Sequence, residues 1–412
     1  MKKTICFVLA TLAMLCTLSF SGCGFRKRAV KAQNLTATVA AREVQTKTPD
    51  AYFKTSYNDF SLKLLNLLQS NAPNDNACIS PLSIAAAFGM ITNGAKGETK
   101  AQLESVLGDG AQNLNEYFAS FIKETAATET VHIANSVWSK KNEISVKNSF
   151  LDIVKNYYQA DYYVADFNEQ TLNDVNNWIY NNTRGGIEKA LNEISPETVV
   201  YLINALDFEA EWKTRFKKNL TRDEVFHGSK GDKIVRMMKS TEHTYIGTDK
   251  ASGFVKYYND GYYFAGLLPD DGYTITDVIS DLTGEKLNST LANTQYAQIN
   301  LTLPKFDFEC DYNLTKAFNT LGANVPFDAN HADFSDLGEL TNGKNIYISN
   351  AIHKTHITVD EEKTKASAVT VIGGDTAAPP QDEIDLVFDR PFVFLICNKN
   401  NLPLFIGVTE NV

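Results

Sequence analysis

Apolar residues recur at two different spacings along this chain, and the spacings divide between its halves. In the first half, positions three or four residues apart predict helices over 52–69, 84–91, 99–107, 147–158 and 172–182. Alternation predicts a strand over 131–138 in the same half. The second half is mainly predicted strands, among them 199–208, 306–311 and 392–397, with one helix near 313–321. Because helices and strands segregate instead of alternating, we expect an α+β fold.

Composition limits the classes of protein that the chain can belong to. Its 412 residues are 43% hydrophobic and 21% charged, which is typical of a globular protein with a sizeable core. The formal net charge is −10. With no basic field to hold phosphates, we expect no nucleic-acid partner.

The N-terminus has the pattern of an export signal. Two lysines precede a largely apolar stretch over 4–20, and Ser21-Gly22 then leads to Cys23. This pattern predicts a signal peptide over 1–22. Its ending resembles a bacterial lipoprotein signal, in which the cysteine carries lipid and becomes the new N-terminus. The alternatives are an uncleaved anchor and a plain secretory signal with an incidental cysteine.

The lipoprotein interpretation carries expectations for domains and location. It predicts a secreted protein that is lipid-anchored to the bacterial cell envelope through Cys23, at the periplasmic face or the cell surface. The polar stretch over 23–49 is expected to be a flexible tether, and 50–412 the folded domain. Three cysteines then remain, an odd number that argues against a disulfide framework. We expect Cys78, Cys310 and Cys397 to be buried thiols without a catalytic role.

No pattern of catalytic residues stands out. None of the six histidines lies in a His-Glu-x-x-His arrangement, and there is no Gly-x-Ser-x-Gly turn. The acids Asp360-Glu361-Glu362 are interpreted as the end of an exposed strand and not as metal ligands. We therefore expect neither an enzyme nor a metal or cofactor site.

Short motifs over 50–412 occur in a recognisable order. They are NACISPLSI (76–84), GAKGET (94–99), NALDFEAEW (204–212), LPKF (303–306), DRPFVFLI (389–396) and PLFIG (403–407). Together they resemble the serpin family, and the resemblance covers nearly the whole domain. It implies three β-sheets, about nine helices and an exposed reactive-centre loop at about 361–385. It also implies a monomeric suicide inhibitor of proteases, whose cleaved loop inserts into the central sheet.

The reactive-centre loop combines a strand pattern with a solvent-compatible composition. On insertion, Thr364, Ala366 and Ala368 would face inward, and all three are small or β-branched and uncharged. The hinge predicted from the resemblance is Glu361, Glu362, Lys363, Thr364, Lys365, Ala366, Ser367 and Ala368. Inhibitory members usually carry glycine where Lys363 stands. The alternative function is therefore a non-inhibitory serpin, either a cleaved substrate or a binding protein. A third class of protein, a surface adhesin or a sugar-binding lipoprotein, is the remaining alternative.

The resemblance also assigns the reactive bond and its supports. Counting seventeen residues from Glu361 places the bond at Ala377-Ala378, with Thr376-Ala377 as the alternative. Small residues on both sides suit an elastase-like or subtilisin-like protease, or a papain-like cysteine protease. Lys305 is expected to pair with Glu361 near Trp212. A buried hydrogen-bonded cluster is expected to contain Ser80, Ser83, Asn204 and His353.

Overall fold

The computed structural model describes residues 26–126, 130–185, 187–189, 191–194, 198–341, 345–362 and 383–412. The predicted signal peptide, Cys23, the hinge from Lys363 to Ala368 and the predicted bond at Thr376, Ala377 and Ala378 lie outside these residues. Within them the chain forms nine α-helices and three sheets, which confirms the predicted α+β class. No described helix is both long enough and apolar enough to cross a bilayer.

The helices cluster in the first half of the chain. They are α1 (Ala51–Asn71), α2 (Pro81–Thr92), α3 (Gly97–Leu107), α4 (Ala111–Thr125), α5 (Asn148–Asn156), α6 (Glu169–Asn182), α7 (Ile275–Asp281), α8 (Gly284–Ala292) and α9 (Leu314–Thr320).

Most of the strands lie in the second half of the chain. They are β1 (Gln33–Asn34), β2 (Ala77–Ile79), β3 (Val131–Lys140), β4 (Ile144–Val146), β5 (Asp161–Ala165), β6 (Val200–Phe208), β7 (Arg222–Gly228), β8 (Gly231–Gly247), β9 (Ala251–Tyr257), β10 (Tyr263–Pro269), β11 (Gln295–Pro304), β12 (Phe306–Asn313), β13 (Gly338–Leu340), β14 (Asn350–Val359), β15 (Glu383–Val387), β16 (Phe392–Cys397) and β17 (Pro403–Thr409).

A six-stranded main sheet runs in the order β1-β5-β3-β6-β14-β12. A second, nine-stranded sheet runs β15-β11-β8-β9-β10-β16-β17-β2, with β7 added against β8. The pair β13-β4 forms the third sheet. The long strand β8 connects the part of the second sheet that carries β15 to its buried part, because it pairs with β7, β11 and β9 in turn.

The main sheet is covered on both faces. Every residue of α2 is buried, as expected for a helix that is apolar all round, and it contacts β3, β6 and β17. Its start follows from the sequence, since the Ser80 side chain accepts from the Ser83 amide and Pro81 occupies the first turn. On the other face, α6 buries Val175 and Trp178 in a separate core against strands of the main sheet.

Strands β6 and β14 of the main sheet are joined over only part of their length. The parallel strands β6 and β14 pair at Tyr201–Ile203 and Asn350–Ile352, and no further pair between them occurs among the described residues. On their other edges both strands are hydrogen-bonded to a neighbour, β6 to β3 and β14 to β12. The sheet is therefore open between β6 and β14 beyond those three pairs.

The tether expected over 23–49 is corrected by the structure for residues 26–49, which we call the N-terminal strap. Gln33 and Asn34 form β1 and pair antiparallel with β5. The Arg42 guanidinium forms an ion pair with Asp152 on α5, and the Lys47 amide donates to the carbonyl of Glu116 on α4. Specific hydrogen bonds hold the strap to the body, so it is ordered and not a free linker.

Candidate functional site

Glu361, two residues beyond β14, is held by three groups at the point where the loop begins. Its carboxylate accepts from Lys305 Nζ at 2.7 Å and from Thr221 Oγ1 at 3.0 Å, and its carbonyl accepts from the Phe216 amide at 3.2 Å. The side chain is only 8% exposed. Burial alone would raise the pKa of Glu361, but the hydrogen bonds from Lys305 and Thr221 bring that pKa below its usual range. The pair predicted between Lys305 and Glu361 is present.

Trp212 supports the same place from beneath. Its indole Nε1 donates to the carbonyl of Asp360 at 2.8 Å, and its ring stacks on Tyr258 with centroids 4.3 Å apart. Lys256 is buried below it, with Nζ 4.4 Å from the centroid of the Phe216 ring, and forms an ion pair with Glu242. Burial lowers the pKa of Lys256, while the Glu242 carboxylate opposes that shift. This packed support fixes the first residues of the loop.

The buried cluster predicted at the sheet's centre is present in part. The Ser80 amide donates to His353 Nε2 at 3.0 Å, and both residues are fully buried. Because the ring accepts through Nε2, the neutral ring carries its proton on Nδ1. Burial lowers the pKa of His353 to about 3. His353 is thus a neutral structural histidine that ties the start of α2 to β14.

Asn204 does not join that cluster directly, which corrects the prediction. Its Nδ2 donates to Oδ1 of Asn135 on the neighbouring strand β3. The Ser83 contribution is its backbone amide, which donates to Ser80 Oγ at 3.3 Å. Ser83 Oγ, Asn204 Oδ1 and His353 Nδ1 have no hydrogen-bond partner among the described residues. Buried polar atoms therefore collect where the pairing of β6 and β14 stops, and each is costly to leave unpaired.

The far end of the loop is also anchored. Strand β15 pairs in parallel with β11, and Asn300 Nδ2 donates to the Asp385 carboxylate at 2.9 Å. At the near end, Glu362 forms an ion pair with Lys218, which lowers the pKa of Glu362. The two described ends are therefore fixed at different places, Glu362 just beyond β14 and Glu383 on the second sheet.

The thiol groups of the described residues are buried. Cys78, Cys310 and Cys397 are free and buried, as predicted, and burial raises the pKa of each thiol. Within the described residues, no group of three histidine, cysteine or acidic side chains could hold a metal ion.

Comparison with known proteins shows the family to which this chain belongs. The family described as "Serpin (serine protease inhibitor)" matches residues 55–412. The chain belongs to the serpin family. The native-state crystal structure of tengpin, a thermophilic serpin, has a TM-score of 0.86 and 38% identity, covering 93% of this chain and 100% of that one. Tengpin in the latent state has a TM-score of 0.77 and 36% identity, covering 88% and 99%.

Curated relatives extend this likeness to a named inhibitor. The leukocyte elastase inhibitor of Homo sapiens is 30% identical over 369 residues, which is 84% of this chain and 96% of its own. Many serpins are protease inhibitors, and in general serpins are not enzymes.

Three residues of this serpin site were missed by sequence reasoning. Asn135 is buried in β3, but Ser136 and Ser139 are buried in the same strand, so nothing in the sequence distinguished it. Lys256 did offer a signal, since it is a lysine inside the apolar run of β9. Thr221 is an ordinary threonine in a polar stretch, so nothing in the local sequence distinguished it.

Proposed function

We propose that this serpin is a suicide inhibitor whose cleaved loop inserts between β6 and β14. The opening between these two strands is the observation that carries the proposal. Beyond Ile203 and Ile352 the facing edges of the strands do not pair with each other in the described part of the chain. Edges of this kind accept an added strand, as serpin loop insertion does.

The direction of insertion follows from the connectivity. The loop continues from the end of β14, so an inserted segment must turn back and run antiparallel to it. Because β6 is parallel to β14, the same segment would be antiparallel to both neighbours and could form a ladder with each. About fourteen inserted residues at ~3.3 Å each would carry the cleaved end roughly 45 Å.

The energy of insertion is sufficient in order of magnitude. Each new ladder hydrogen bond contributes about 1 kcal/mol net, so two ladders supply on the order of 10 kcal/mol. A protease esterified to the moving end would be carried along with it. A catalytic site tolerates little displacement, so its deacylation would be arrested.

The proposed target is an elastase-like or subtilisin-like protease, with papain-like enzymes next. Ala377 and Ala378 offer small side chains to a shallow pocket, and Pro379 disfavours cleavage one bond later. The similarity to a leukocyte elastase inhibitor supports the same class. The second candidate is a non-inhibitory serpin, which the bulky, charged Lys363 in the hinge favours.

The test is incubation with elastase, subtilisin, papain and trypsin, followed by detergent electrophoresis and mass analysis. Inhibition predicts a protease-linked band that survives boiling, and a released fragment that begins at Ala378. Cleavage without a linked band would establish the non-inhibitory alternative. A fragment beginning upstream of Thr376 would refute the assigned bond.

A matched pair of hinge variants tests insertion itself. Ala368→Arg places charge on the side expected to face inward, so it should be cleaved without trapping the protease. Ser367→Arg places the same charge on the outward side and should still inhibit. Equal behaviour of the two variants would contradict the inward and outward assignment.

We further propose that Cys23 carries lipid and anchors the protein to a bacterial envelope membrane. The support is the signal-like pattern that ends in Ser21-Gly22-Cys23. The mass of the N-terminal peptide from the full-length chain, expressed in a bacterium, tests this directly. An acylated N-terminal cysteine is expected, and an unmodified one would refute the anchor.

A further inference from the structure

The N-terminal strap begins on the C-terminal end of α6 and is held there firmly. Arg28 exchanges two hydrogen bonds with the Asn181 side chain, at 2.7 and 2.8 Å. Its guanidinium also donates to Glu188 at 2.8 Å and lies 3.5 Å above the Tyr180 ring. The chain cannot swing freely at this residue, so Arg28 fixes where the preceding residues leave the body.

The strap then follows α6 toward that helix's N-terminus. The carbonyl of Ala29 accepts from Asn177, and the amides of Lys31 and Ala32 donate to the buried Asp174. Successive strap residues therefore contact successive turns of α6. Its order is continuous from Arg28 to β1, so any anchor at Cys23 is separated from the body only by the few residues before Arg28.

That separation is short. Cys23 and Arg28 are five positions apart, and five residues span at most about 17 Å when fully extended. A lipid on Cys23 would therefore hold the C-terminal end of α6 within roughly that distance of the bilayer surface. A flexible tether of the whole 23–49 stretch would have allowed the body to rotate freely, but the structure leaves no such length.

The same region is strongly basic in an acidic protein. Residues 24–42 contain five lysines and arginines and no aspartate or glutamate, whereas the whole chain has a net charge of −10. Arg26 and Lys27 are exposed, and neither forms an ion pair with another described residue. Basic residues beside a lipid anchor are attracted to anionic lipid headgroups, and each raises the affinity for the membrane about fivefold.

We propose that an anionic membrane surface binds Arg26 and Lys27 and orients the protein, with the C-terminal end of α6 facing the bilayer. This proposal rests on the proposed lipid anchor and adds which side of the protein faces the membrane. The reactive loop begins near the same end, because Arg184, just beyond α6, pairs with Glu209 at 3.5 Å. Glu209 lies three residues before Trp212, which holds Asp360. The loop base is thus on the membrane-proximal side.

The test places fluorophores on the lipidated full-length protein, bound to vesicles that contain quencher-labelled lipid. Lys189→Cys carries the probe beside Glu188, and Glu285→Cys carries it on the exposed side of α8; both positions are exposed. The three native thiols are buried and should not be labelled. With phosphatidylglycerol in the vesicles, we expect quenching at position 189 and none at position 285.

Charge dependence separates orientation from anchoring. R26Q/K27Q should reduce the difference between the two probes, because only the short lipid anchor then keeps the C-terminal end of α6 near the bilayer, while the protein still floats with the vesicles. The matched control K63Q/K316Q removes two exposed lysines elsewhere and should keep the difference. High salt or neutral phosphatidylcholine vesicles should act as R26Q/K27Q does.

The results distinguish the orientation, the role of Arg26 and Lys27, and the lipid anchor. Equal quenching of the two probes on anionic vesicles, with the protein bound, would overturn the orientation while the anchor stands. An unchanged difference in R26Q/K27Q would overturn the role of these two residues. Failure to float with any vesicle would show that the lipid anchor is absent, and the orientation would fall with it.

Discussion

Replacing the buried carboxylate at the loop base should weaken the fold by a predictable amount. Glu361→Gln keeps the side chain's size but removes its charge, and so replaces the ion pair with Lys305, 2.7 Å long, by a weaker hydrogen bond to a neutral acceptor. Hydrogen bonds to charged groups contribute about 1.5–3 kcal/mol. Lys305 is 36% exposed, so solvent screening reduces that figure toward about 1–2 kcal/mol.

The next residue provides the control. Glu362 is also paired with a lysine, but its side chain is 40% exposed and that of Lys218 is 67% exposed. Glu362→Gln should therefore leave the first unfolding transition in denaturant unchanged, while Glu361→Gln should lower its free energy. A double-mutant cycle of Glu361→Gln with Lys305→Gln should give a coupling of about 1 kcal/mol.

The pH dependence supplies an independent check on the same contact. The pKa of Glu361 is lowered from its ordinary value of 4.5, so its stabilisation is complete above pH 4.5 and is lost as the pH falls through the folded-state pKa. Wild type and Glu361→Gln should therefore differ at pH 7 and converge as the pH falls below the folded-state pKa of Glu361. A difference that persists at low pH, or an equal loss in Glu362→Gln, would refute the reasoning.

Charge reversal at the same position should alter behaviour beyond stability. Glu361→Lys places two cations together and frees the loop base from Lys305 and Thr221, so we expect premature insertion or polymerisation on warming. Size-exclusion chromatography after heating would show the polymers. A variant that stays monomeric and inhibits normally would mean that this pairing is unimportant for control of the loop.

Three further predictions concern the sheet's centre and the strap. In wild type the free energy of unfolding should fall by about 1.4 kcal/mol per pH unit as the pH drops from 6.5 to 3, because the unfolded ring (pKa 6.5) takes up a proton that the buried ring (pKa about 3) does not. His353→Gln should remove this dependence. Equal slopes for wild type and variant, measured by denaturant titration at several pH values, would contradict it. Asn204→Ala should lower the free energy of unfolding by about 1–3 kcal/mol, because it leaves Asn135 without its partner. The double variant with Asn135→Ala should be little less stable than Asn204→Ala alone, and additive losses would count against the pair. Asp174→Ala removes the acceptor of two strap amides, so limited proteolysis should cleave the strap faster than in wild type, and an unchanged rate would show that other contacts suffice.

Elements with strong local periodicity were predictable. The predicted helix over 172–182 lies within α6, and the alternating stretch at 306–311 lies within β12. The helices α7 and α8, which are 7 and 9 residues long, were not predicted in the strand-rich half, and the 15-residue α4 was missed in the first half. Length alone does not explain these misses, since the predicted helix near 313–321 is α9, which has only 7 residues.

The order of the strap could not have been predicted from its own sequence. Its alanines, threonines and basic residues show no apolar period, and its partners are distant, as Lys31 and Asp174 are 143 positions apart. The Lys305–Glu361 pair came from the family resemblance and not from any pattern. The expected link from Asn204 to His353 was wrong, because the side chain of Asn204 turns to Asn135 on β3 instead.

The position of α6 connects the strap to the proposed mechanism. The helix packs over the main sheet, and a small cavity between them is lined by Ile179, Asn204 and Ile352. Ile352 belongs to the last pair that joins β6 to β14, so an inserting segment would have to pass beneath α6 at this point. Residues 28–32 are hydrogen-bonded along that helix, so any outward movement of α6 during insertion must carry or break these contacts. If a membrane also faces the C-terminal end of α6, the strap would connect the membrane to the helix that insertion has to displace. Movement of α6 would then be resisted by the same contacts that set the protein's orientation.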